Sequence, residues 1–436
     1  MALALVDSPF LWTLRGQRLL FRVSSTNTAQ NGFKYGVVVT EVVTGKQYEF
    51  FVDRSPATSD LLFDLAPVVK MFNDESTPDM HTVAADVNWS EPQGGSWKAY
   101  TVEVSEWWLV AGVLTENAGV VTATRYILNG YFQPKNGYKP NVDSVSDTQL
   151  ALTSNNSRAW SDRFENTHSW FNSPIGLPSS GGVRTFIPCM NTDYGLLYVP
   201  LKTSLAGNAA VVKITMFNFP VSGSPPTHEH TLTGNEILGV GVYPMNINDA
   251  ASFPSSVKPA NNPNWAYYVI QFTQTLGGLP RSMFYYFYNA ELYGQSDCRY
   301  DYVRVAWVNS RSGWDYFNFI KKNEVNNDLE RKQYKRLLMN EQGTFNNWQR
   351  QLTDREVLNT QTLVVTSDWI QENEFVFLRN LLASNQVEIL DTTSSKALGY
   401  RTPVSIVDNS FTEKKERNGK LYNVTLKLKF SQDYWT

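Results

Sequence analysis

The most metal-like feature of the chain is the triplet His228-Glu229-His230. On a strand, side chains at i and i+2 point to the same side, so the two imidazoles could share an ion if a third ligand joined them. The triplet follows Ser224-Pro225-Pro226-Thr227, a loop-like sequence, and no third ligand stands out. Neither His228 nor His230 is therefore assigned to a metal. Histidines number four in all, the others being His81 and His168, so a Ser or Cys nucleophile has few candidate bases. Cys189 with His168 is one such pairing, but nothing around either residue resembles a nucleophile elbow. Cys189 and Cys298 are the two cysteines, far apart and outside any CxxC. They read either as two buried thiols or as one disulfide. Asp315, in Gly313-Trp314-Asp315-Tyr316-Phe317, could act as an acid in a sugar cleft, or serve as a turn residue among buried rings. GxSxG, P-loop, GxGxxG and HExxH signatures are all missing from the sequence. The expectation is no catalytic residue, no cofactor and no metal site: a protein that is not an enzyme.

Three aromatic clusters could stack on sugars: Trp107-Trp108, Tyr285-Tyr286-Phe287-Tyr288 and Trp314-Asp315-Tyr316-Phe317. Strand alternation makes core or subunit contact their default role. The chain of 436 residues is 14% aromatic but only 18% charged, below the roughly 25% usual for soluble domains. Such a surface is cheap to desolvate and suits faces that end against other subunits, although a simple bias of β proteins gives the same composition. The net charge of -3 supplies no global basic field for nucleic acid. The opening MALALVDSPFLWTLRGQRLLF is interrupted by Asp7, Ser8 and Pro9 and does not read as a signal peptide. The apolar run from Trp107 to Leu114 is far short of a membrane span, so no membrane insertion is expected.

The elements that must position these residues are mostly strands. GQRLLFRVSS, FKYGVVVTEVV and KQYEFFV read as a meander over 17–52, the last two joined by the turn signal Thr44-Gly45. DLAPVVKMF predicts a short helix, with Asp64 capping and Leu65, Val68, Val69 and Phe72 at helical spacing. A β-rich domain over 1–145 results. Short β runs separated by Pro, Gly, Asn and Ser clusters predict an antiparallel sandwich over 146–340. The polar stretch 320–350 reads as a linker, an edge strand or a contact surface. Residues 345–436 predict a small α+β domain. In it, Ser367 or Asp368 caps a helix with Ile370, Phe377, Leu378, Leu381 and Leu382 on one face. Asn418-Gly419 then signals a hairpin, and Tyr422, Val424, Leu426, Leu428 and Phe430 alternate against Asn423, Thr425, Lys427 and Lys429. The fold class is mainly β: antiparallel β-sandwiches in several domains, with one helix on an antiparallel sheet at the C-terminal end.

Three segments carry a resemblance: FRVSSTNTAQNGFKYGVVV with DLLFDLAPVVKMF; CRYDYVRVAWVNSRSGWDYFNFIKKNEVNNDLERKQYKRLL; and SDWIQENEFVFLRNLLAS with YRTPVSIVDNSFTEKKERNGKLYNVTLKLKFSQDY. Their order and spacing resemble virion structural proteins of tailed bacteriophages that infect Bacteroidetes-type hosts, including crAss-like and marine relatives. The likeness covers most of the chain, least over 145–180. It implies a virion component of the tail, baseplate or fibre base, made in the host cytoplasm and without enzymatic activity. The C-terminal unit resembles docking domains of tail and baseplate proteins. Partners implied are copies of the chain in an oligomeric ring, other tail proteins and, for an adhesin, a host surface glycan. A glycan-binding adhesin and a polysaccharide depolymerase are the alternatives. No catalytic residue carries over from the resemblance.

Overall fold

The computed structural model describes residues 3–15, 17–72, 90–92, 97–128, 185–200, 210–219, 224–232, 237–273, 285–292, 300–309, 313–335, 352–384, 386–391, 401–407, 421–431 and 434–435. The fold is mainly β, with several antiparallel sheets. The chain divides into two compact units: 1–293 with 308–315, and 294–307 with 316–436. The sequence reading placed boundaries near 145 and 340 instead.

In the first unit, Leu3–Asp7, Leu20–Ser25 and Leu61–Asp64 form a three-stranded sheet. Trp12–Leu14, Val113–Leu128, Trp97–Val110, Lys34–Glu41 and Gln47–Val52 form a five-stranded one, in that order. The expected meander over 17–52 is thus split, its first strand going to one sheet and the other two to the second. One buried cluster joins them: Phe21, Val23 and Phe63 from the smaller sheet meet Tyr35, Val37, Val102 and Val104 from the larger. The helix Ala66–Met71 adds Val68 and Val69, with Leu65 and Phe72 buried at its ends, as the spacing predicts. Asp64 receives the backbone N–H of Ala66 at 3.0 Å and that of Leu19 at 3.0 Å.

Two turns of the larger sheet follow from local chemistry. Gly45 sits at φ 69° between the paired strands Lys34–Glu41 and Gln47–Val52. Its N–H donates to the Glu41 carbonyl, 2.9 Å away. Buried Glu41 accepts from Thr44 Oγ1 at 2.8 Å and pairs with Lys98 Nζ at 3.0 Å. Trp97–Val110 and Val113–Leu128 meet through a two-residue turn, Ala111 at φ 53° and Gly112 at φ 84°. Positive φ at both positions is the hairpin geometry that matches strand twist.

The rest of the first unit holds the middle strands. Thr185–Cys189, Tyr285–Asn289, Trp265–Thr273, Ala210–Asn218 and Thr227–Leu232 form a five-stranded sheet. Leu196–Pro200, Ile237–Gly241 and Ser90–Pro92 form a three-stranded one. Thr185–Cys189 and Tyr285–Asn289 run parallel, a departure from the all-antiparallel expectation; Trp12–Leu14 and Val113–Leu128 are also parallel.

The largest sheet belongs mainly to the second unit, with Val308, Trp314 and Asp315 counted in the first. Its order is Trp314–Phe319, Val303–Val308, Val387–Leu390, Arg401–Ile406, Thr425–Phe430, Leu352–Thr366 and Asn323–Lys335, with Tyr434–Trp435 also on Leu352–Thr366. Strands upstream of residue 345 are therefore integral to the C-terminal sheet. Val303–Val308 pairs with Val387–Leu390, so a fragment starting at 345 lacks part of its own sheet.

The helix spans Glu372–Ala383 and buries Phe377, Leu378 and Leu381; Leu382 is half-buried. The Phe377 ring meets Trp307, centroids 5.0 Å apart. Ile370 belongs instead to the short strand Ile370–Gln371, paired with Leu421–Tyr422. Ser367 and Asp368 consequently do not cap the helix. Ser367 Oγ accepts the N–H of Val424 at 2.9 Å, and Asp368 Oδ1 accepts that of Trp369 at 2.7 Å. In Thr425–Phe430, Leu426 and Leu428 are buried and Phe430 is half-buried, while Thr425, Lys427 and Lys429 are exposed. The expected alternation holds there. The strand itself begins at Thr425, Tyr422 lying in the separate short strand and Val424 half-buried between. Asn418-Gly419 lies outside the described residues.

Candidate functional site

His228 and His230 face the same side of the strand Thr227–Leu232, as the i, i+2 spacing requires. Both rings meet Phe253 edge-on, at 5.0 and 5.9 Å. Burial pushes both imidazoles below the ordinary histidine value; Glu229 opposes this at His228, and His228 adds to it at His230. Glu229 pairs with Lys213 at 3.2 Å on the neighbouring strand. Among the described residues no group of three His, Cys, Asp or Glu could hold a metal ion. The triplet is packed as sheet structure against a phenylalanine.

Cys189 is buried, and its Sγ donates to the Ile187 carbonyl at 3.6 Å. Its candidate partners His168 and Cys298 lie outside the described residues, as does His81. Asp315 is buried in Trp314–Phe319, beside Trp314, Tyr316 and Phe317, which are buried too. Tyr285, Tyr286, Phe287 and Tyr288 are all buried. Trp107 and Trp108 are half-buried on opposite faces of their strand. Trp107 meets Phe51 at 5.2 Å and Trp108 stacks on Phe33 at 6.5 Å. Two of the three clusters are thus buried in packing roles, while Trp107 and Trp108 stay half-buried.

The surface with unspent binding capacity is the edge of the C-terminal sheet. Asn323–Lys335 pairs antiparallel with Leu352–Thr366 along its whole length, at ~3.3 Å per residue some 43 Å of strand. Among the described residues it ends the sheet, no described strand pairing with its outer side. On the other side of Leu352–Thr366, residues 362–366 pair with Thr425–Phe430 and 358–359 with Tyr434–Trp435. Among the described residues, 352–357 pair with Asn323–Lys335 alone, which makes this end a two-stranded arm. Arg331–Asp354 at 2.9 Å, Lys332–Glu356 at 2.9 Å and Gln333–Asp354 at 2.7 Å brace it across the strands. The hydrogen bond to Glu356 holds the Lys332 ammonium above the ordinary lysine range.

Register shows which face of the arm matters. Val325 lies opposite Leu363, Leu363 opposite Leu428, and Leu428 opposite Ile406. Opposed residues share a face, so this is one apolar row across four strands. Leu363 and Leu428 are buried, yet Val325 is 54% exposed. Leu329, four residues on and on the same face, is 53% exposed. A helix about 10 Å wide covers two or three strands spaced ~4.8 Å apart. Among the described residues the one helix here, Glu372–Ala383, meets Trp307, several strands away. The core-side face of the described sheet thus extends beyond the strands that this helix can cover.

Sequence inspection leaves this surface ambiguous because Asn323–Lys335 carries no clean alternation; Asn326, Asn327 and Asp328 dilute Val325 and Leu329. No protein-family model matches the chain, and no curated protein matches it.

Proposed function

We propose that this chain is a non-enzymatic structural component of a bacteriophage virion. Its place is in the tail, baseplate or fibre base, and it works by assembling with copies of itself and with other virion proteins. The observation that carries the assembly role is the 13-residue strand Asn323–Lys335, which ends its sheet among the described residues and whose core-side apolar residues Val325 and Leu329 are exposed. A long strand at the margin of a sheet is a template on which another chain can pair. The low charge of the chain agrees with faces destined for interfaces. The particle itself comes from the sequence resemblance to phage virion proteins. Tyr285 to Tyr288, Trp314, Asp315, Tyr316 and Phe317 are buried, so these residues lend no support to the adhesin or depolymerase alternatives.

Purified particles of the phage that encodes the chain provide the test. An antibody against the chain should decorate the tail or its distal end under the electron microscope, and the chain should appear in fixed stoichiometry to the major tail proteins. Particles that lack the chain, or whose tails assemble fully after its gene is removed, overturn the proposal.

A further inference from the structure

We infer that the outward face of the five-stranded sheet in the first unit, at Trp107 and Phe51, is a binding site for a neutral sugar ring. This adds a ligand site to the structural role proposed above and does not depend on that role.

Register puts the two rings on one face. Trp107 lies opposite Lys34, Ser105 opposite Gly36, and Gly36 opposite Phe51. Opposed residues share a face. The alternate positions Tyr35, Val37, Val102 and Val104 are buried in the core, so this row looks away from it. Phe51 is accordingly 44% exposed and Trp107 half-buried.

The indole is fixed before any ligand arrives. Its Nε1–H donates to Ser105 Oγ at 2.9 Å. Its pyrrole edge stands where a side chain at position 36 would be, since a Cβ there would come within 2.5 Å of Nε1. Glycine inside a strand ordinarily costs stability. The backbone at Gly36 does not take the left-handed conformation, so what glycine supplies here is room for Trp107. Phe51 meets the indole edge-on, centroids 5.2 Å apart at 83°. The two rings form a floor and a wall, and rings held this way lose little freedom on binding.

The surroundings select the ligand. Two residues along the same face, Val38 lies between Glu103 and Glu49. Both carboxylates are exposed and, among the described residues, neither has a hydrogen-bond or ion-pair partner. They stand ~7 Å along the strands from Ser105 and Phe51, where they can accept hydrogen bonds from sugar hydroxyls. Glu116 lies opposite Trp107 and adds a third carboxylate, while Lys34 of the same row pairs with Asp53 at 3.9 Å. This excess of negative charge opposes uronic acids, sialic acids and nucleic acid, and it leaves neutral sugars. The C–H face of a pyranose packs on the electron-rich face of an indole. Size agrees: the two rings together leave on the order of 150 Å² to solvent, the scale of one sugar ring. A protein partner covers about 800 Å² on each side of a stable interface. Burial of so small an area sets a dissociation constant on the order of a millimolar.

Saturation-transfer NMR of the full chain measures binding this weak. The panel holds neutral hexose and N-acetylhexosamine oligosaccharides in α and β linkage, with oligogalacturonate as the acidic member. At least one neutral sugar should bind saturably, and oligogalacturonate should bind about tenfold or more weakly. Trp107→Ala should weaken binding about tenfold or more, as truncation of an aromatic anchor does, and Phe51→Ala severalfold. Gly36→Ala should act like Trp107→Ala, because its Cβ displaces the indole. Trp107 also packs on its own sheet, so Phe51→Ala, at an exposed ring, is the variant that should keep the wild-type thermal unfolding profile while losing affinity. No neutral sugar bound at about 10 mM, ten times the expected constant, overturns the site. Binding that survives both Phe51→Ala and Trp107→Ala overturns it too, by placing the sugar elsewhere. Oligogalacturonate bound as well as the neutral sugars overturns the assigned ligand class. Antibody labelling of particles judges the virion role separately.

Discussion

Replacing Leu428 by Ala tests the register on which the C-terminal sheet has been built. Leu428 is fully buried, flanked by Leu363 on one neighbouring strand and Ile406 on the other. Two hydrogen-bonded neighbours hold its backbone in place, so the site can collapse only through side-chain movement. Leu-to-Ala changes in cores cost about 2–5 kcal/mol, more where the cavity stays open. A value near 3–4 kcal/mol follows for a site this constrained. At roughly 3 °C per kcal/mol for a unit of this size, the transition should fall by about 10 °C. Differential scanning calorimetry of the full chain measures it, with Lys427→Ala as the internal control. Lys427 is exposed one residue away on the other face, opposite Val364, and its loss should stay within about 0.5 kcal/mol. A drop under about 3 °C for Leu428→Ala, or equal drops for the two variants, would refute the register.

Ala111 occupies the left-handed region at φ 53°, which Asn tolerates better than Ala because its short polar side chain bonds the local backbone, so Ala111→Asn, giving an Asn-Gly turn, should stabilise the first unit by about 0.5–1 kcal/mol in denaturant titrations. Lys98→Met should cost about 3 kcal/mol by leaving the Glu41 carboxylate buried without its cation, and adding Glu41→Gln should restore part of the loss. Burial lowers the titration of His228 and His230, so below about pH 6.5 the unfolded chain takes up protons that the folded one refuses. Stability is then present above that pH and declines as the solution is acidified, and a His228→Phe, His230→Phe double variant should flatten the slope between about pH 7 and pH 5.

What the sequence made legible is what local chemistry determines. Leu426 and Leu428 against Lys427 and Lys429 announce a strand with one dry face because alternation is a property of a single segment. Thr44-Gly45 announces a turn, and Leu65, Val68, Val69 and Phe72 a helical face, for the same reason. The failures are long-range. Ser367 looks like a helix cap until Val424, 57 residues on, takes its hydroxyl. Ile370 fits the helical face but is claimed by a strand pair with Tyr422. The aromatic clusters carry two meanings, core or ligand platform, and only the neighbours each ring acquires distinguish them. The candidate site was legible in part: an edge strand was one reading of the polar stretch 320–350, but Asn326, Asn327 and Asp328 dilute the alternation that would have separated it from a linker.

The small strand Ser90–Pro92 has a consequence for synthesis. It pairs with Ile237–Gly241, which in turn pairs with Leu196–Pro200, and Thr185–Cys189 lies parallel to Tyr285–Asn289, 100 residues downstream. On a ribosome making about 5–20 residues per second, a strand at residue 90 waits roughly 10–30 s for its partner to emerge. Non-local pairing of this kind folds slowly, with strands unprotected in the meantime. The first unit therefore cannot be finished half by half as it is translated. The early segments must be kept from pairing with those of other nascent chains on the same message, and high-level expression should become limited by nascent-chain aggregation before it is limited by the stability of the finished fold.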